Sequence, residues 1–210
     1  VSQQSDQIFS RIARRYDLIN RLLSAGRDQA WRASATRWLP RGRLLDLGSG
    51  TGAAGPILDG FEVVAVDPVR PMLSLSPIEL RVAGLGEALP FPDGSFDGVF
   101  SAYVFRNLSS VDRTLGEIHR VLRPGGVLAV VDLGRPANPI ARLLHRLGTA
   151  ITLPLAGLLA KAPGDYWYLH KSLDTLAPPD DLLSGSPLRL DRTWRMGLFG
   201  FVYGAILIKE

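Results

Sequence analysis

Asp46, Gly48, Gly50 and Gly52 alternate through the segment Leu44-Leu45-Asp46-Leu47-Gly48-Ser49-Gly50-Thr51-Gly52, and that spacing points to a bound ligand. An apolar run delivers the chain into a turn where three glycines permit sharp bends and close approach of another molecule. In an open parallel sheet, ligands sit at the carboxyl ends of strands, beside the point where strand order reverses. Asp67 ends the next apolar run. An acidic side chain there can accept hydrogen bonds from both hydroxyls of a ribose. The dinucleotide fingerprint reads G-x-G-x-x-G, whereas these glycines fall at every second position. Further along, Arg106 and Asn107 follow a fourth apolar run and Asp132 ends a fifth. A fixed guanidinium at such a strand end can hold an oxyanion or a water. A carboxylate beside it can accept a proton or anchor the arginine. Of the three histidines, His119 reads as a solvent-facing helix residue, and His145 and His170 read as structural.

The elements that must position these groups follow from hydropathy. Arg43 to Leu47, Phe61 to Val66, Ile78 to Val82, Phe96 to Ala102 and Val127 to Asp132 read as strands. A helix is expected after the glycine turn, and another from Val111 to Leu122 with Leu115, Ile118 and Leu122 on one face. Strands alternating with helices imply a parallel sheet with crossover helices. Two more strand candidates close the chain, Leu188 to Trp194 and Phe201 to Ile208, and their tight spacing predicts that the last runs antiparallel. Before the sheet, Ile8, Ile12 and Tyr16 share a helical face, with Leu22 and Leu23 further on. Trp31 and Trp38 lie in a second helical stretch ended by Pro40 and Gly42. Asn138 to Ala160 reads as a helical insertion rich in leucine.

Composition narrows the classes. The chain of 210 residues has no cysteine, which excludes a disulfide framework, a thiolate zinc site and a cysteine nucleophile. No metal is expected. Net charge is +4, with the arginines spread along the chain rather than clustered, so nucleic acid is not an expected partner. The polar start, Val1 to Asp6, does not read as a signal peptide, and the longest weakly polar run, Leu147 to Ala160, is short for a bilayer span and interrupted by Pro154. The expected compartment is the cytoplasm.

Three blocks resemble class I S-adenosylmethionine-dependent methyltransferases. The glycine turn after Asp46 is similar to their motif I, Glu87-Ala88-Leu89-Pro90-Phe91-Pro92-Asp93-Gly94-Ser95-Phe96-Asp97 to their fourth-strand loop, and Arg120-Val121-Leu122-Arg123-Pro124-Gly125-Gly126 to the turn before their fifth strand. Four further stretches resemble the C-methyltransferases of menaquinone and ubiquinone biosynthesis: Arg15-Tyr16-Asp17-Leu18-Ile19-Asn20, Phe105-Arg106-Asn107, Asp132-Leu133-Gly134-Arg135-Pro136, and Tyr166-Trp167-Tyr168-Leu169 with Ser172. The resemblance runs over nearly the whole chain. It departs at Leu85, where the family usually carries Asp or Asn, and at Ala102, where it usually carries Ser; Ser101 precedes the latter.

The resemblance implies an α/β fold of the Rossmann-like methyltransferase class, with a seven-stranded, mostly parallel sheet and helices on both faces. It implies one domain over residues 1–210, with a helical cap over 1–40 and an insertion over 138–183 on the substrate side. S-adenosyl-L-methionine is the implied cofactor. It would be held by Tyr16, Asp46, Gly48, Ser49, Gly50, Thr51, Gly52 and Asp67, with Leu85, Gly86, Ser101 and Ala102 around the adenine. Arg106, Asn107 and Asp132 are the implied catalytic residues, and methylation of the ring of a polyprenylated quinol is the implied reaction. Such a substrate implies transient contact with the inner face of a membrane, through the apolar insertion. Homodimerisation is left open. The rival readings are a phospholipid or other small-molecule methyltransferase, and a weakly binding scaffold in a quinone-making complex.

Overall fold

The computed structural model describes residues 21, 24–136, 138–159 and 179–210. Seven strands form one sheet: β1 (Arg43–Leu47), β2 (Glu62–Asp67), β3 (Leu80–Ala83), β4 (Phe96–Ala102), β5 (Leu122–Leu133), β6 (Arg189–Met196) and β7 (Val202–Ile208). Their order is β3-β2-β1-β4-β5-β7-β6. The first five run parallel, β7 pairs antiparallel with β5, and β6 pairs antiparallel with β7, as the sequence predicts. Strand order reverses between β1 and β4, so the ligand crevice belongs at their carboxyl ends.

Alternating side chains of the strands feed two cores, one on each face of the sheet. Leu45, Val99, Leu128 and Leu207 pack on one face against helix α3 (Val111–Val121), through Leu115, Ile118 and Val121. Leu44, Phe100, Ala129 and Ile206 pack on the other against helix α1 (Asp28–Thr36), through Trp31 and Ala35. Both ends of α3 are closed: Ser110 caps its start by accepting from the Arg113 N–H at 3.2 Å, and Lys209 Nζ donates to the carbonyls of His119 and Leu122 at its end. A cation donating to the last carbonyls also complements the helix dipole. His119 is half-buried there rather than solvent-facing. The face of α1 is held by Trp194, whose indole N–H donates to Ser34 Oγ at 3.2 Å, and by an edge-on contact of Trp31 with Phe201. Gly204 makes this possible, because a Cβ there would lie 2.2 Å from the Trp194 ring.

Several boundaries differ from expectation for local reasons. The helix expected after the glycine turn is only a 3-10 turn, Gly55–Ile57, because Gly52, Gly55, Pro56 and Gly60 crowd the short crossover. The next crossover holds a single helical turn, α2 (Arg70–Leu73). With both crossovers this short, an open groove lined by Pro56, Leu58, Phe61, Pro77, Ile78 and Leu80 remains beside β2 and β3. The fifth strand begins at Leu122, not Val127: the Pro124-Gly125-Gly126 turn interrupts its register against β4 between Phe96 and Gly98 without ending it. The insertion is a long helix, α4 (Pro139–Leu159), and a short helix α5 (Pro179–Ser184) precedes β6. Among the described residues no helix is long and apolar enough to cross a membrane.

Candidate active site

Strand β1 ends at Leu47, and the N–H groups of Gly48 and Ser49 both bond the Val66 carbonyl, at 2.8 and 3.1 Å, which swings the chain across the end of β2. Gly48 has φ +68°, and a Cβ there would meet Val104 at 2.3 Å. Only glycine lets the turns after β1 and β4 come this close. Asp67, at the end of β2, accepts the Gly50 N–H at 2.9 Å and the Val69 N–H at 2.8 Å. Those bonds fix its carboxylate in the cleft wall, and a carboxylate has about four acceptor sites in all.

The cleft at the strand ends is open to solvent and holds about 610 Å³ of space, counting the open part. Of the residues predicted from sequence, Gly48, Ser49, Gly50, Thr51, Asp67, Ala102 and Asn107 line it. Arg32, Ala53, Pro68, Val69, Met72, Tyr103 and Val104 line it too, without having been singled out. A single charge in a helix offers no cue that it will reach a strand end, and a left-handed Tyr103 (φ +66°) leaves no mark in sequence.

The other predicted residues lie behind or beside this wall. Asp46 is buried beneath the turn, with Oδ2 lacking a hydrogen-bond partner among the described residues. Burial pushes its carboxyl up to about 7, against the attraction of Arg32 and with a further push from Asp67. Gly52 packs against Ser76 and Pro77. Leu85 is exposed and bridges to Ala88, Gly86 packs near Thr114 and Leu108, and Ser101 is buried within β4. Tyr16 lies outside the described residues, as do Tyr166 to Ser172.

The three catalytic candidates form one cluster. Phe105–Asn107 is a 3-10 turn after β4. Asp132, fully buried at the end of β5, accepts the Phe105 N–H at 2.8 Å and the Leu133 N–H at 2.7 Å. Burial raises the Asp132 carboxyl above the ordinary carboxylate range, while the Arg106 guanidinium and those N–H groups pull it down. Asp132 therefore holds the turn that carries Arg106 and Asn107. Among the described residues, Arg106 Nε and Nη1 are buried without an acceptor, and Asn107 Oδ1 is buried without a donor. Buried polar atoms are usually paired, so a guanidinium in this state is suited to receive an anionic or carbonyl oxygen.

Comparison with known proteins agrees with this geometry. The model of the ubiE/COQ5 methyltransferase family matches residues 1–184. The chain is 40% identical over 192 residues to the demethylmenaquinone methyltransferase of Thermus thermophilus, covering 83% of this chain and 87% of that one. It is 37% identical over 196 residues to the ubiquinone/menaquinone biosynthesis C-methyltransferase of Syntrophotalea carbinolica, covering 86% and 83%. Among solved structures, a SAM-dependent methyltransferase from Thermotoga maritima superposes with a TM-score of 0.70 at 19% identity, over 97% of this chain and 99% of that one, which shows the shared fold. The chain belongs to the ubiE/COQ5 methyltransferase family and is a methyltransferase of the Rossmann-like class.

Proposed function

We propose that the protein transfers a methyl group from S-adenosylmethionine to a ring carbon of a polyprenylated quinol. The observation that carries the reading is Arg106: a guanidinium with two buried, unpaired nitrogens, on the turn whose Asn107 lines the cofactor cleft. The family to which the chain belongs includes relatives named demethylmenaquinone methyltransferase, which supports the reading.

The cleft fits the cofactor by its donor set. Asp67 stands at the strand end where a ribose would bond, and the glycine backbone from Gly48 to Gly50 admits close approach. Ser49 Oγ and Asp46 Oδ2 are buried polar atoms still lacking partners. When bound, the cofactor supplies an electrophilic methyl on a sulfonium, and the C–S pair stays with sulfur. The residues of this chain position the acceptor and manage its proton. Arg106 donates to the quinol oxygen as that oxygen loses its proton, which raises electron density in the ring. Asn107 presents an amide at the same edge, and Asp132 keeps the turn in place through the Phe105 N–H. The ring hydrogen at the methylated carbon leaves last, as a proton to water, which restores the aromatic ring, and the oxygen takes back a proton from solvent, so one proton is released in all.

A substrate rooted in a bilayer requires the enzyme to work at the membrane surface, and α4 supports that. Ile140, Leu143, Leu144, Leu147 and Ile151 are all at least half exposed and share one stripe of the helix. Its other side is fastened to the body by His145 and Thr149, both reached by Arg135 Nη1, and by His145 stacking on Phe201. The direct test is to incubate the protein with methyl-labelled S-adenosylmethionine and a reduced membrane lipid extract, then identify the labelled product. Label on a quinone ring supports the proposal. Label on a phospholipid head group, or none, overturns it.

A further inference from the structure

Among the described residues, Arg32 is the one basic residue on the wall of the cleft, and the quinol chemistry leaves it unused. It comes from α1, outside the sheet. Gln29 Nε2 donates to the Ala53 carbonyl at 3.0 Å and so ties that helix to the glycine turn. Arg32 follows one helical step later on the same side and is only 7% exposed. Its guanidinium lies 4.9 Å from the centre of the Tyr103 ring. Tyr103 is held in its left-handed backbone conformation while its N–H bonds the Val131 carbonyl at 2.8 Å. Such strain persists only where the surroundings enforce it, and it gathers at ligand sites.

What the guanidinium lacks is an acceptor. Its Nε is buried and unpartnered, and among the described residues no oxygen hydrogen-bonds to the side chain. Buried charges are normally paired. The nearby acid, Asp46, is an incomplete counter-ion, because burial pushes its carboxyl up to about 7 and leaves about half of it neutral at that pH. The Tyr103 ring beside it restrains the guanidinium, and a planar fork matches a carboxylate in two parallel bonds. A single cation suits a single negative charge, whereas Asp67 across the cleft suits hydroxyls.

We infer that Arg32 binds the carboxylate at the amino-acid end of the cofactor, opposite the ribose held by Asp67. The inference rests on the proposed use of this cleft for S-adenosylmethionine. Two ligands separate the ends: S-adenosylhomocysteine carries the amino acid, and 5′-methylthioadenosine keeps the nucleoside and thioether but has no carboxylate. Titration calorimetry is to be run with both on the wild-type chain, Arg32→Gln, Arg32→Lys and Asp67→Ala. Arg32→Gln is expected to lose about tenfold or more in affinity for S-adenosylhomocysteine and less than about twofold for 5′-methylthioadenosine. Arg32→Lys should recover part of the loss, because it restores the charge without the fork. Asp67→Ala should weaken both ligands. Equal weakening of both ligands by Arg32→Gln, whether through misfolding or a displaced helix, overturns the inference, as does no weakening of either. If the wild-type chain binds neither ligand, the cofactor reading itself fails and the inference falls with it.

Discussion

Three buried carboxylates at strand ends serve the site by different physics. Asp67 is bonded by two backbone N–H groups at the cleft wall, Asp132 by two others behind it, and Asp46 keeps one oxygen without a partner. Asp46 carries a testable cost. Its carboxyl titrates near 7 in the folded chain against 3.8 as an ordinary side chain, so folding favours the protonated form. Stability from this group is therefore greatest below pH 4, falls as pH rises toward 7, and is level above that. Asp46→Asn removes the titration. The variant should match the wild type near pH 4 and melt a few degrees higher at pH 8, roughly as expected for one to two kcal/mol in a chain of this size. Calorimetric melts across that range check it, and a variant that melts lower at pH 8 would mean that Arg32 pairs with ionised Asp46 more strongly than burial penalises it. Arg106 sets the second test. Arg106→Ala should bind cofactor nearly as the wild type does, yet turn over a demethylated quinol about tenfold or more slowly, since about 1.4 kcal/mol of lost transition-state stabilisation is a factor of ten. Normal turnover per folded molecule with an early melt would instead place Arg106 in the framework. At this scale the sequence discloses what backbone geometry demands: glycines where φ is positive and Asp67 where β2 ends. It hides Arg32 and Tyr103, whose importance comes from elements meeting in space.

At the scale of elements, two blocks that resemble family motifs are the two halves of one clamp. Arg120, from α3, donates to the carbonyls of Leu89 and Phe91 and to the carboxylates of Asp93 and Glu117, and Glu117 in turn accepts the Leu89 N–H at 2.7 Å. Glu87 reaches the N–H of Ser109 at 2.7 Å, at the start of the same helix. Arg123 pairs with Asp97, which also accepts the Arg43 N–H at 2.8 Å. The segment from Glu87 to Asp97 is thus strapped to α3 and to β1, and its work is to hold the sheet's connections rather than to touch a substrate. Arg120→Met keeps much of the stem and removes every one of its bonds. Hydrogen bonds to charged groups contribute about 1.5–3 kcal/mol. With the side chain partly exposed, we expect a loss near 2 kcal/mol and a melting point about 4–8 °C lower. Asp93→Ala, which loses one exposed partner, should shift it by about a degree, because exposed ion pairs contribute little. Equal shifts in the two variants would show that the strap adds nothing beyond its surface pair. The sequence places these motifs in order but cannot say that they grip one another. It also overestimates the crossover after the glycine turn, where Gly55, Pro56 and Gly60 leave room for one 3-10 turn only.

For the whole molecule, the question is how a cleft open to water would meet the lipid-borne quinol of the proposed reaction. The apolar stripe of α4 offers an answer that charge supports. Arg142 and Arg146 are exposed on the same helix, and the chain as a whole carries 24 Lys and Arg against 20 Asp and Glu. A helix with an apolar stripe and arginines on its polar side lies in the plane of a membrane interface, and its binding grows with buried apolar area and with anionic lipid. The stripe was legible in the sequence as a run of leucines at helical spacing; that it faces outward depends on His145 and Thr149 docking the opposite side. The test is flotation with vesicles of neutral phosphatidylcholine, alone or mixed with anionic phosphatidylglycerol. The wild-type chain should float with the mixed vesicles and lose much of that binding at high salt, because exposed charges are screened. Replacing both Leu144 and Leu147 with Glu removes two side chains each contributing about 1.5–3 kcal/mol when fully buried. Vesicle binding should then fall by well over tenfold, while S-adenosylhomocysteine affinity in solution stays unchanged. Turnover should fall on a long-tailed quinol presented in vesicles and be preserved on a short-tailed one in solution. Undiminished flotation of the double variant would mean that another surface carries the membrane contact and that the stripe on α4 has a different occupant.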